Sequence, residues 1–113
     1  MFNAEIKDCL KFKNIFQIIN EIGCLFNMEL SDKGILLQSM DRNRQVLIQI
    51  FLHKEFFTEI KCTKTLLIMS YISLIFNVIK NLNPDDKIKL YYEEGKYHLQ
   101  INIYNISKYY YII

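Results

Sequence analysis

The sequence predicts an α+β domain in which two short helices lie against mostly antiparallel sheet. Three observations carry that prediction. Short strand-like runs recur along the whole chain, two segments place apolar residues at helical spacing, and the order strand, helix, strands occurs twice. At 113 residues the chain fits one domain. Folding at that size buries a little under ~70% of the unfolded surface, enough for a core without disulfide or metal.

Residues 2–7 alternate Phe2, Ala4 and Ile6 against Asn3, Glu5 and Lys7, the period of a strand buried on one face. Asp8 suits a helix N-cap. Phe12, Ile15, Phe16, Ile19 and Ile22 follow at helical spacing, with Lys13, Gln17 and Asn20 on the opposite stripe, and Gly23 is placed to stop the helix. A strand over Leu25 to Leu30 leads into Ser31-Asp32-Lys33-Gly34, where the glycine can take positive φ and return the chain as a hairpin. The returning strand, Ile35 to Met40, ends in the charged loop Asp41-Arg42-Asn43-Arg44. Two more strands are expected over Val46 to Leu52 and Phe56 to Cys62.

The second half repeats the order of elements but not the sequence. Leu66 to Tyr71 reads as a strand and Ile72 to Lys80 as a short helix with Ile72, Ile75, Phe76 and Ile79 inward; Asn83-Pro84-Asp85 makes a turn. Strands are then expected over Ile88 to Tyr92, Tyr97 to Ile103 and Ile106 to Ile113, with Glu93-Glu94-Gly95-Lys96 as the hairpin between the first two. Two helices among about eight strands give the α+β class.

Composition excludes several functions. A hydrophobic share of 51% places the chain with folded proteins, and a net charge of +2 is too small to demand a polyanionic partner by itself. Cys9, Cys24 and Cys62 are odd in number and lack Cys-x-x-Cys spacing, which argues against a disulfide framework and for a reducing compartment. His53 and His98 stand apart from the cysteines and from each other, so no metal site is expected. No glycine-rich phosphate loop appears, and no cofactor is expected. The acid pairs Asp85-Asp86 and Glu93-Glu94 fall in turns with no nucleophile and base beside them, so no catalytic residue and no enzyme is expected. The N-terminus alternates like a strand and has no apolar leader core. The longest uncharged run, Thr65 to Ile79, falls short of the ~20 residues a membrane helix needs, so no membrane partner is expected.

Several short blocks in order resemble the eukaryotic sliding-clamp family, proliferating cell nuclear antigen. They are Met1, Phe2 and Ala4 at the start, Leu37-Gln38-Ser39-Met40-Asp41, Glu55-Phe56-Phe57, Lys61-Cys62 and Lys80, and they run from Met1 to about Ile103. Departures occur at Arg44 and Gln45, at Thr63 and Lys64, and at Asn77. The resemblance implies that residues 1–113 are a single N-terminal clamp domain, with connector loop and second domain absent. In that family two such domains form a subunit, and three subunits close a ring around duplex DNA, helices inward and sheets outward.

The resemblance implies three sites. A sparse DNA-facing lining of Lys11, Lys13, Asn20, Lys61, Lys64, Asn77 and Lys80 would hold the DNA backbone without gripping it, because each phosphate neutralised adds salt-dependent affinity that impedes sliding. A partner-peptide pocket would include Met40, Arg44, Gln45 and Leu47, where thioether and alkyl walls adapt to apolar anchors. A subunit interface would include Leu74, Asn77, Asn81, Tyr109 and Tyr111, the last two on one face of a hydrophobic terminal strand that needs a partner. The implied function is a DNA sliding clamp, a processivity factor that encircles duplex DNA without base specificity and tethers polymerase, repair proteins and other clamp-binding peptides. The implied location is the nucleus or the compartment where the genome is replicated. Two other functions fit the same residues: a checkpoint-clamp subunit, and a small α+β module that binds protein and never encloses DNA.

Overall fold

The alternation at the N-terminus becomes β1 (Phe2–Ile6), whose Phe2, Ala4 and Ile6 are at most 3% exposed. The remaining elements are α1 (Cys9–Ile22), β2 (Gly23–Ser31), β3 (Gly34–Asp41), β4 (Leu47–His53), a 3-10 turn (Lys54–Phe56), β5 (Phe57–Cys62), β6 (Leu66–Tyr71), α2 (Ile72–Ile79), β7 (Ile88–Tyr92), β8 (Leu99–Ile103) and β9 (Lys108–Ile112). This computed structural model describes residues 1–96, 98–104 and 108–112, and the side chains of Cys24 and of 108–112 lie outside the description.

Helix α1 starts where expected. The Asp8 carboxylate accepts from the Leu10 and Lys11 amides at 3.1 and 3.2 Å, satisfying donors that have no partner inside the first turn. Its buried stripe is Cys9, Phe12, Phe16 and Ile19. Phe12 and Phe16 pack at a 53° tilt with centroids 4.7 Å apart, and Phe16 meets Phe26 of β2 edge-on at 6.0 Å, which pins the helix to the sheet. Each such buried ring contributes roughly 1.5–3 kcal/mol over its exposed state.

Two antiparallel sheets result, in the orders β5-β1-β7-β8-β9 and β4-β3-β2-β6. They share one core with the helices. The sheets come together at β5: the Cys62 thiol lies 3.7 Å from the Leu30 carbonyl of β2, and residues 63–65 carry the chain directly into β6. All four terminal strands, β5, β9, β4 and β6, pair on one side only among the described residues; β5 and β6 meet the junction, whereas the edges of β4 and β9 lie away from it.

The expected strand over 46–52 is shifted by one residue, and that over 56–62 begins after the 3-10 turn. The second helix ends at Ile79, with Lys80 as its cap. Nine strands are described, one more than the approximate count. Of the expected strands 97–103 and 106–113, the positions 97, 106, 107 and 113 lie outside the described residues.

Ile22, expected inward, is 38% exposed, because as the last residue of α1 it falls on the flank with Ile18 rather than on the buried stripe of Cys9, Phe12, Phe16 and Ile19. Gly23 does end α1, but in extended backbone (φ −118°) rather than a left-handed turn. A Cβ there would meet the Ser39 hydroxyl oxygen at 2.2 Å, so any larger residue fits only if Ser39 moves. Gly34 does take the positive φ of the β2–β3 hairpin, at +143°.

Candidate functional site

Three surfaces collect the expected residues. On the helix layer, the Cys9 thiol donates to the Asn83 carbonyl at 3.2 Å, so that flank of α1 faces the segment after α2. Lys13 and Asn20 follow Cys9 on the same flank at helical spacing, and both are half-buried. Asn77 and Lys80 are exposed on α2 and at its cap, and the two helices pack together. Lys13, Asn20, Asn77 and Lys80 are therefore brought into one layer.

The other three lysines are not. Lys11 lies on the opposite flank of α1, where it lines a cavity of about 480 Å³ with Ile15, Ile50, Phe51, His53 and Phe56. Lys61 pairs across from Asn3, which alternates with buried Phe2 and Ala4, so it stands on the outer face of the five-stranded sheet. There it bonds Glu59 at 3.3 Å. Lys64 is ion-paired to Glu94 of the β7–β8 hairpin. Strand alternation and local carboxylates, invisible in a count of lysines, separate these residues from the helix layer.

On the outer face of the four-stranded sheet, Met40 and Leu47 are a cross-strand pair. With Leu25, Asn27, Gln38 and Met69 they line a groove of about 400 Å³. Arg44 and Gln45 belong to the loop beside this groove and are not among its walls. Arg44 adopts positive φ (58°), and the Asp41 carboxylate ties the loop by accepting from the Gln45 and Val46 amides at 2.6 and 2.9 Å. The groove's far wall was missed by sequence. Along β6, Leu66, Ile68 and Ser70 turn inward while Leu67, Met69 and Tyr71 turn out; both faces of the strand are rich in large side chains, so alternation could not choose.

The third surface is the pair of open edges. Beside β9, α2 presents Leu74 and Asn77 on one exposed stripe, and Asn81 is exposed in the turn that follows the helix. Tyr109 and Tyr111 stand in register with Asn102 and Gln100, and their side chains, with the interface expectation at those positions, lie outside the described residues. At the opposite end, β4 turns Ile48 and Ile50 inward but leaves them only half-buried, whereas Ile35 and Leu37 of β3 are fully covered. The flank of α1 beside β4 carries Ile15 and Ile22 and also Ile18, which is 52% exposed. Ile18 was the available signal, an isoleucine off the inward stripe.

Among the described residues no cluster of three metal-ligating side chains occurs, and no helix is long and apolar enough to cross a membrane.

Residues 1–110 match the family described as proliferating cell nuclear antigen, N-terminal domain. The chain is 25% identical over 103 residues to Proliferating cell nuclear antigen 2 of Plasmodium falciparum, covering 91% of this chain and 39% of that protein. It is 27% identical over 100 residues to the DNA polymerase sliding clamp of Methanothermobacter thermautotrophicus, covering 88% and 41%. The chain thus spans about two fifths of the length of the curated relatives it matches. The fold superposes on Proliferating Cellular Nuclear Antigen from Entamoeba histolytica with a TM-score of 0.91 at 20% identity, over 98% of this chain and 46% of that one.

Proposed function

Because the chain belongs to the proliferating cell nuclear antigen family, whose N-terminal domain it matches along nearly its whole length, we propose that it is one domain of a DNA sliding clamp. Such a clamp is a scaffold: it holds duplex DNA by enclosure and presents its outer sheet to replication proteins. The observation that carries the proposal is the pair of open edges. A β9 edge flanked by Leu74 at one end, and a β4 edge flanked by Ile15, Ile18 and Ile22 at the other, are what a domain needs to join its neighbours head to tail. Head-to-tail contacts close into rings when the rotation per domain divides the circle.

The helix layer supplies the DNA side. Lys13 and Lys80, diluted by Asn20 and Asn77, give thin positive charge without base-reading geometry, which suits retention without a grip. On the outer side, the groove at Met40 and Leu47 serves as a seat for partner peptides. The place of action is where DNA is replicated, in a nucleated cell the nucleus.

The test is retention on DNA by the protein containing this domain. Assembled protein is expected to stay on a closed circular duplex at salt that strips it from the linearised form, and Lys13→Glu with Lys80→Glu to shorten that residence. Equal loss from circle and line, or a monomer at every concentration in sedimentation, overturns the proposal.

A further inference from the structure

We propose that the peptide seat at Met40 and Leu47 extends across the whole sheet to β6, where Met69 and Tyr71 select peptides with a second apolar anchor and acidic residues at the end lying over the Arg42–Arg44 loop. This rests on the reading of the Met40–Leu47 groove as a peptide seat. The outer face supplies the geometry. In the strand order β4-β3-β2-β6, Leu47 pairs with Met40, Leu25 with Tyr71, and Asn27 with Met69. Leu47, Met40, Leu25 and Met69 line one groove across the β2–β3 irregularity, and Tyr71 stands beside it opposite Leu25, so apolar side chains cross all four strands at one end of the sheet, with Met69 64% and Tyr71 57% exposed.

At ~4.8 Å between strands the row spans roughly 14 Å, the length of about four extended residues or about three turns of helix. Large apolar side chains left in water as one contiguous row mark a docking face, and methionine with tyrosine is the composition of adaptable binding surfaces. Asn27 and Gln38, half-buried in the same groove, can bond the backbone of a bound segment.

Charge gives the row a direction. Arg42 and Arg44 sit at the β3–β4 end, both exposed, and neither makes an ion pair among the described residues. The one carboxylate beside them, Asp41, is engaged by the Gln45 and Val46 amides. Residues 41–44 thus keep one net positive charge, with neither guanidinium group ion-paired among the described residues, and this end of the apolar row complements an acidic end on the occupant. That occupant is a segment of a partner protein.

The test uses two labelled synthetic peptides in fluorescence anisotropy. Each has a Phe-Leu pair at both ends of a four-residue spacer, preceded by three Glu in one and three Lys in the other. The parent protein is expected to prefer the Glu peptide. Met69→Ser with Tyr71→Ser should weaken it by about tenfold or more while circular dichroism and melting stay unchanged, since both residues are exposed. Arg42→Glu with Arg44→Glu should reverse the preference between the peptides. Leu47→Asp separates the two claims: if it abolishes binding while the β6 variant binds as tightly as the parent, the seat stands and its extension falls. No binding of either peptide by the parent overturns both. Concentration-dependent self-association that Tyr71→Ser abolishes, without peptide binding, overturns the extension in favour of a second copy.

Discussion

Gly23 and Ser39 approach so closely that a Cβ on residue 23 would stand 2.2 Å from the Ser39 hydroxyl oxygen and 3.0 Å from the Met40 carbonyl. The serine cannot simply turn away, because its hydroxyl donates to the Leu25 carbonyl at 2.8 Å. Gly23→Ala is therefore expected to destabilise the domain by about 1–3 kcal/mol, the usual cost of overpacking. Adding Ser39→Ala should recover part of that loss by removing the oxygen. Chemical denaturation of the two variants against the parent checks both signs.

One side chain reinforces the β3–β4 loop, which the backbone bonds from the Asp41 amide to the Val46 carbonyl and from the Arg44 amide to the Asp41 carbonyl, both 3.0 Å, also close. The Asp41 carboxylate oxygen accepts from two amides, so Asp41→Ala should cost about 1–2 kcal/mol and release residues 42–46. Asp41→Asn should fall between parent and alanine. Hydrogen exchange at the Gln45 and Val46 amides is expected to rise in the alanine variant, while exchange in β1 and β7 stays as in the parent.

Ile18 separates assembly from folding. It is 52% exposed and lies outside the buried stripe of α1, so Ile18→Glu should leave the melting temperature of the monomer within a degree or two. Placed on the α1 flank beside the open β4 edge, the same charge should weaken head-to-tail association by about tenfold or more. Sedimentation of parent and variant at matched concentration reads the difference, and equal association would remove that flank from the interface.

Cys9 makes stability depend on alkaline pH. Burial, then the nearby Asp86 and Asp8 carboxylates, push its thiol above the ordinary 9.0. The folded chain thus favours the neutral thiol more than the unfolded chain does. That contribution is complete below pH 9.0 and is lost as pH rises through the folded value. Stability should decline above that pH, and less steeply in Cys9→Ala; the comparison is between slopes, since the variant also loses packing.

How much of the candidate site was legible varies residue by residue. Met40 and Leu47, grouped by the resemblance, are cross-strand neighbours, because a short loop between two strands brings its flanking residues into register. The resemblance grouped Arg44 and Gln45 with them, and the fold puts both in the loop beside the groove rather than among its walls. Lys13 and Lys80 reach one layer through helical periodicity. Lys11, Lys61 and Lys64 leave it because flank, pleat and ion pairing are set by neighbours distant in the chain.

The sequence by itself determined the α+β class, the order of nearly every element, the Asp8 cap, the Gly34 turn and the family, all properties written in local spacing and backbone chemistry. Tertiary structure alone decided which strands share a sheet, which edges stay open, and that β6 turns Leu67, Met69 and Tyr71 outward. The physical reason is range. A cap or a turn is settled within a few residues, whereas the closeness of Gly23 to Ser39, or of Cys62 to Leu30, exists only after strands far apart in sequence have paired and buried a common core.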